Sequence, residues 1–508
     1  MDLSKKNYVL LALFTFFKMS LIAQNTDSVA WARPCTSCEQ LLNLRLPEIK
    51  VNAAEMIQTP ESTASNGGAY CKVSGTIGKE IEFELLLPSK WNKRFVMGGG
   101  GGFVGYVMNR AGNSIKDGFA TVGTNTGHIG TDAKWALNNM ERQLNFGHLA
   151  VHRTAVAAKG IIYYFYGLYP RYSYFVGLSR GGGQAMMEAQ RYPEDFDGVV
   201  AGAPAFNWVG QAAKFIKDTK VIYPDPTKDT VPVITKDNLR LLQEKILQHC
   251  DGLDGIRDSI LNDPRDCGFN INDIKICPGN VSAADCLTQK QLEAIKIIYS
   301  GVSIGVKTLH PGFAFGGEDD KTGWLSSIVG PNKGSSPYPS WQAFYGMETF
   351  RYLIFNNPDW DYSRYDFSKV YTDTRYAASY LDATQTDYSG FRKKGGKMII
   401  YQGWIDPLIS ALDIIDHYEK ANALDAELHE YIRLFMLPGV SHIGGNGPGK
   451  ADWFQLIQDW VEKGIPPNRV IVSKLKDKDT LMTRPVFPYP AKAVYDGKGD
   501  PNLESSFK

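Results

Sequence analysis

Residues 172–183, Tyr-Ser-Tyr-Phe-Val-Gly-Leu-Ser-Arg-Gly-Gly-Gly, run an apolar strand into a glycine-flanked serine, and Gln184-Ala185-Met186-Met187-Glu188-Ala189-Gln190 continues with helix-forming residues. This strand–serine–helix order limits the possible architecture more than any other feature of the chain. Gly177 and Gly181 bracket Ser179 as G-x-S-x-G, and a serine held on so tight a strand-to-helix turn leaves no room for side chains at its flanks. Fifty glycines generate the bare pattern by chance, so it is the strand before and the helix after that give it meaning. Neighbouring segments, a strand over 119–124, a helix over 148–166 and a strand over 196–201, fit an α/β alternation. With 508 residues, 43% of them hydrophobic, the chain can bury a full core and a second domain.

A nucleophilic serine needs a base and a group that orients the base, and after such an elbow they follow in the order Ser, Asp or Glu, His. His417, His429 and His442 lie in the last hundred residues. His417 sits at helical spacing among Ile414, Ile415, Tyr418 and Leu424 and reads as a helix-surface residue, and His429 precedes a strand. His442 follows the apolar run 431–437 in the loop Pro438-Gly439-Val440-Ser441-His442-Ile443-Gly444-Gly445, where a strand end presents an imidazole. Asp406 follows the short buried strand 397–403 in the same manner and is the orienting acid. The strand 94–97 runs into five consecutive glycines, 98–102, whose missing side chains let backbone N–H groups approach an oxyanion. Gly101 and Arg180, the residue after the serine, are the expected donors.

Gly177-Leu178-Ser179-Arg180-Gly181-Gly182, then 187–198 (Met-Glu-Ala-Gln-Arg-Tyr-Pro-Glu-Asp-Phe-Asp-Gly) and Gly202-Ala203-Pro204-Ala205, resemble the tannase and feruloyl esterase family, as do Gly403-Trp404-Ile405-Asp406-Pro407 and 484–490. The resemblance covers roughly residues 35–507. It implies an α/β-hydrolase fold with a large inserted lid domain, and a serine carboxylic ester hydrolase acting on small aromatic acid esters. Feruloyl esters lead, with gallate esters (tannase) and terephthalate monoesters as alternatives. The rival from another class is a non-catalytic protein on the same fold that binds an aromatic ligand or a glycan, but no member of the triad is missing. The sequence departs from the family at Leu178 and Ile443, where members carry cysteines joined in a disulfide. Both replacements are apolar, so an apolar contact is expected there. A second pair is absent at Phe487 and near Lys508.

The chain opens with Lys5, Lys6, an apolar run over 8–17 and Ser20-Leu21-Ile22-Ala23, the pattern of a signal peptide over residues 1–23. Secretion or export to a periplasm follows, which permits disulfides. Of seven cysteines, Cys250 and Cys267 close one short loop and Cys277 and Cys286 another. Cys38 with Cys71 matches the family's N-terminal bridge, and Cys35 is left over. A C-x-x-C redox or metal reading of Cys35 and Cys38 lacks a second ligand pair. In Asp251-Gly252-Leu253-Asp254-Gly255-Ile256-Arg257-Asp258-Ser259-Ile260, hard oxygen ligands on a curled loop suit calcium, although the spacing is not that of an EF-hand. Resemblance to the family's calcium loop implies side-chain ligation of a structural Ca²⁺ by Asp251, Asp254 and Asp258 and carbonyl ligation by Ile256 and Ile260.

The distance along the chain from Ser179 to Asp406 exceeds what two or three strand–helix units require, so an insertion is expected. The division is 24–206 for the first part of the core, 207–391 for the lid with its calcium loop, and 392–508 for the second part. The lid carries Trp208, Trp324, Trp341, Phe344, Phe350, Tyr352 and Trp360, some of which are expected to face the serine and stack on an aromatic acyl group. A formal net charge of +1, with no basic block or acidic tail, argues against nucleic acid, or a membrane after signal removal, as partner.

Overall fold

Alternating and continuous apolar runs assemble into one nine-stranded sheet in the computed structural model, which describes residues 31–58, 68–226, 231–330 and 338–508. The expected signal peptide lies outside the described residues. The strands in chain order are β1 (Ile49–Gln58), β2 (Ala69–Ile77), β3 (Ile81–Pro88), β4 (Arg94–Gly98), β5 (Ala120–Thr124), β6 (Tyr172–Leu178), β7 (Gly198–Gly202), β8 (Ser300–Ile304), β9 (Lys307–Gly312), β10 (Lys397–Gly403), β11 (Ile432–Leu437), β12 (Val470–Lys476) and β13 (Asp479–Val486). The large sheet has the order β1-β2-β3-β5-β4-β6-β7-β10-β11, and β8-β9 and β12-β13 are separate hairpins. β1, β2, β3 and β5 pair antiparallel, and from β5 through β11 every pairing is parallel. The sequence reflects the difference: β2 alternates buried with half-exposed residues, whereas β5 and β7 are buried throughout, as strands covered on both faces must be.

Helices Ala150–Tyr166 and Arg180–Arg191 pack on one another and on this sheet, while Trp453–Lys463 packs on β7 and β10. The expected helix over 148–166 starts in α geometry only at Ala150, after a wide turn at Asn145–Leu149, and the strand expected at 196–201 runs from Gly198 to Gly202. Both shifts are of the size by which element ends drift, because terminal residues are held by context and not by periodicity.

β7 and β10 are direct neighbours, with Gly198–Gly202 in register on Lys397–Tyr401, so everything between them lies outside the sheet. That segment folds around its own apolar cluster, including Leu239, Leu242, Ile246, Ile295, Ile298 and Trp324. Two of its helices start at capping boxes, Thr235 with Asn238 and Thr288 with Gln291, each box satisfying N–H groups that have no intrahelical acceptor. A further cluster joins insertion to core through Phe103, Phe146, Trp208, Leu381 and Ile409. Three disulfides form, Cys38–Cys71, Cys250–Cys267 and Cys277–Cys286, while Cys35 is a free, exposed thiol that donates to the Phe165 carbonyl. At the C-terminus, where the family's second missing bridge would lie, Phe487 and Phe507 pack with Ile256 and Ala493.

Candidate active site

Parallel strands present their C-terminal ends at one edge of the sheet, and loops leaving that edge meet there. β4 releases the glycine loop after Gly98, β6 releases Ser179, β10 releases Asp406, and β11 releases the loop with His442. Ser179 has φ 63° and ψ −122°, a strained conformation for a residue with a side chain. The turn is tight enough that a Cβ on Gly177 would stand 2.0 Å from the Gly181 carbonyl oxygen, and one on Gly181 would stand 2.8 Å from that of Gly100. The elbow therefore touches the glycine loop directly.

His442 Nε2 lies 3.0 Å from Ser179 Oγ, and its Nδ1 lies 2.8 Å from Asp406 Oδ2. Asp406 is fixed in turn: its Oδ1 accepts from the N–H groups of Leu408 and Ile409, each at 2.8 Å, and Gln402 Nε2 approaches Oδ2 at 3.3 Å. The Asp406 side chain is fully buried and that of His442 nearly so. Burial alone lowers the affinity of His442 for a proton, but the Asp406 charge and hydrogen bond together outweigh it and raise the imidazole above its ordinary value. A serine hydroxyl, a base in contact with it and a buried anion behind the base can together generate a nucleophile.

The other two histidines are occupied elsewhere. His429 stays exposed beside the Ala426 carbonyl. His417, expected on a helix surface, is instead buried between Phe206 and Tyr388, its Nε2 2.9 Å from the Tyr388 hydroxyl, and burial pushes it down to about 3. The helix carrying it packs against the sheet on that face, which helical spacing alone does not reveal.

In the glycine loop, Gly99 N–H donates to the Val176 carbonyl at 2.9 Å and Gly100 N–H to Gln184 Oε1 at 3.0 Å. The N–H groups of Gly101 and of Arg180, at the first turn of its helix, have no acceptor among the described residues. Gln184, not singled out from sequence, thus anchors the loop; its position one turn after the elbow is the available signal. The Arg180 side chain was also missed. Its guanidinium is buried between Phe146 and Trp208, donates to the Phe146 and Gly147 carbonyls at 2.9 and 3.0 Å, and is lowered to about 10 by burial.

A cleft of about 590 Å³ opens over Ser179 and His442, walled by Phe103, Trp208, Trp341, Phe344 and Tyr345. Of the insertion's aromatic residues, Trp324, Phe350, Tyr352 and Trp360 pack instead into apolar clusters. Leu178 and Ile443 both border the cleft, yet the expected apolar contact is not a buried one. Leu178 packs into the Phe103–Trp208 cluster, whereas Ile443 is 72% exposed on the rim. A branched side chain on a loop that faces open space has nothing to bury against.

The acidic loop offers oxygen donors of the kind calcium takes. Asp251 Oδ1 is buried without a partner, and the Asp251 and Asp254 carboxyls are both raised, first by burial and further by the charge of Asp258. The Ile256 and Ile260 N–H groups donate to Asp254 Oδ1 and Asp258 Oδ1 at 3.1 and 3.0 Å, and their carbonyls accept no backbone hydrogen bond among the described residues. Asp258 also pairs with the buried Arg484 at 2.8 Å. These donors fit a hard cation, although the three carboxylates do not draw as close together as His152, Glu188 and Asp195, whose ligating atoms all lie within 4.8 Å of one another. Burial holds the Glu188 carboxyl well above its usual range.

Comparison with known proteins places this geometry in a family. The family model described as tannase and feruloyl esterase matches residues 66–508. The mono(2-hydroxyethyl) terephthalate hydrolase of Piscinibacter sakaiensis is 31% identical, with 93% of this chain and 91% of that protein covered. Feruloyl esterase B of Aspergillus niger is 30% identical over 89% of each chain. Among solved structures, feruloyl esterase B from Aspergillus oryzae superimposes with a TM-score of 0.81 at 27% identity, covering 93% of this chain and 99% of that one. The chain belongs to the tannase and feruloyl esterase family and is a carboxylic ester hydrolase of α/β-hydrolase fold.

Proposed function

We propose that Ser179, His442 and Asp406 are the catalytic triad of an exported esterase that cleaves esters of small aromatic acids, feruloyl esters first, through an acyl-enzyme. The observation that carries this is the unbroken line from Ser179 Oγ through His442 to buried Asp406, set beneath an aromatic-walled cleft. His442 takes the Ser179 proton as Oγ attacks the ester carbonyl, and the Gly101 and Arg180 N–H groups receive the developing oxyanion. When the intermediate collapses, the imidazolium returns that proton to the departing alcohol, and water then repeats the cycle on the acyl-enzyme. Stacking of the acyl ring on Phe344, Trp208 or Tyr345 supplies binding energy away from the reacting bond. The Piscinibacter relative supports a second reading, hydrolysis of terephthalate monoesters, which differ at the far end of the acyl ring.

Two further roles belong to the same reading. Asp251, Asp254 and Asp258 with the Ile256 and Ile260 carbonyls hold a structural calcium. It ties the insertion to the C-terminal segment, which already reaches this loop through Arg484 and through Asn262 on the Ala493 carbonyl. Three disulfides support an oxidising compartment, and no helix among the described residues is long and apolar enough to cross a membrane. Hydrolysis of methyl ferulate, methyl gallate and a terephthalate monoester, with Ser179→Ala as control, tests the reading. Turnover is expected to fall by at least about 10⁴-fold in the variant, and ester cleavage that survives in Ser179→Ala refutes it.

A further inference from the structure

Two helices behind the elbow bring a second group of ligating side chains together. The helix Ala150–Tyr166 contributes His152, the helix Arg180–Arg191 contributes Glu188, and the turn leading from that helix into β7 contributes Asp195. One ligating atom of each lies within 4.8 Å of the other two. His152 Nδ1 stands 2.6 Å from Asp195 Oδ2. Glu188 is 1% exposed, and neither of its carboxylate oxygens meets a hydrogen-bond donor among the described residues. Two carboxylates buried side by side repel each other unless a proton or a cation stands between them.

The surroundings suit a cation. Tyr192 stacks on the His152 ring at 4.0 Å and 9°, and its hydroxyl lies 2.6 Å from His148 Nδ1, so the imidazole is held in orientation by its neighbours. The Lys159 ammonium beside the group donates to the Asp195 backbone carbonyl and lies over the Phe196 ring. The His152 side chain is 32% exposed, which gives an ion an entry path and room for a water ligand. Calcium takes a larger set of ligands, all of them oxygens. One imidazole nitrogen with two carboxylates instead fits zinc or a similar first-row ion, at about 2.0–2.2 Å from each ligand. We infer that His152, Glu188 and Asp195 bind one divalent transition-metal ion of the zinc type, as a structural clamp between the two helices. The ion replaces the proton between His152 Nδ1 and Asp195 Oδ2, and the imidazole keeps its other proton at Nε2. Glu188 follows Ser179 by roughly 13 Å of helix, so the clamp braces the elbow helix from its far end and touches no reacting atom.

The test uses the full chain, stripped with chelator and returned to buffer containing calcium, so that the acidic loop is supplied with its own ion throughout. Zinc chloride is added in equimolar amount, unbound metal is removed by gel filtration, and the protein is taken to elemental analysis. The wild type is expected to retain about one zinc per chain, and Glu188→Gln and His152→Gln to bind it at least about tenfold more weakly. Zinc is also expected to raise the melting temperature of the wild type by several degrees and to leave that of His152→Gln unmoved. Because His152 is partly exposed, its variant keeps the test open should Glu188→Gln fail to fold. A wild type that retains no zinc overturns the site and leaves a shared proton between the carboxyls. Zinc retained undiminished by the variants lies elsewhere, at other histidines or at Cys35, and overturns the site equally.

Discussion

Asp406→Asn tests the orienting role proposed for Asp406 without changing the side chain's shape. In the native site Oδ1 accepts from the Leu408 and Ile409 N–H groups, while Oδ2 faces His442 Nδ1 and Gln402 Nε2. An asparagine that keeps the first pair of bonds must turn its NH₂ toward His442. The imidazole then accepts at Nδ1 and carries its proton at Nε2, the atom 3.0 Å from Ser179 Oγ, where it can no longer accept the serine proton. A loss of about 10³–10⁴-fold in kcat follows, equivalent to about 4–5.5 kcal/mol of transition-state stabilisation. The pH profile gives an independent readout. The proposed mechanism needs neutral His442, whose proton affinity lies above the ordinary imidazole value because Asp406 outweighs burial. Wild-type kcat/KM therefore falls as pH drops through a value above 6.5. Without the Asp406 charge, burial and nearby Arg110 remain, both lowering the imidazole, so the residual activity of the variant has its acid limb at lower pH. Stopped-flow and steady-state hydrolysis between pH 5 and 9, with thermal unfolding to confirm the fold, measures both. A variant within tenfold of wild type and with an unmoved acid limb would refute the reasoning.

A calcium ion that binds only the folded loop adds about 2.7 kcal/mol at a hundredfold excess over its Kd. Chelation is thus expected to lower the melting temperature by several degrees in scanning calorimetry, and Asp254→Ala to abolish the response to added calcium; no shift with chelator, together with elemental analysis free of calcium, refutes the site. Leu178→Ala, which opens space beside the Phe103–Trp208 cluster, is expected to cost about 1–3 kcal/mol by urea denaturation, whereas Ile443→Ala on the open rim is expected to stay within about 0.5 kcal/mol. Equal costs would mean that the two side chains pack together after all.

How much was legible in the chain follows the range of the interactions. Ser179, Asp406 and His442 could be read because each lies just past an apolar strand, and because strand, turn and helix signals are local properties of a few consecutive residues. Gly177 and Gly181 declare the elbow for the same reason: the clash that a side chain there would cause involves atoms only a few residues away. What depends on elements distant in sequence could not be read. His417 and Leu424 share a helix and a similar pattern, yet only packing against Phe206 and Tyr388 buries the histidine. The Arg180 guanidinium looked like one more charged residue until the fold closed Phe146, Trp208 and the Leu381 carbonyl around it. Which lid aromatics face the serine, and that Leu178 turns inward while Ile443 faces open space, were fixed by how the insertion between β7 and β10 folds back over the sheet edge. The sequence by itself determined the elbow and the strands whose ends carry Ser179, Asp406 and His442, since these rest on neighbours along the chain. Only the tertiary structure decided the cleft wall and the buried polar anchors, because those arise where residues far apart in sequence exclude water together.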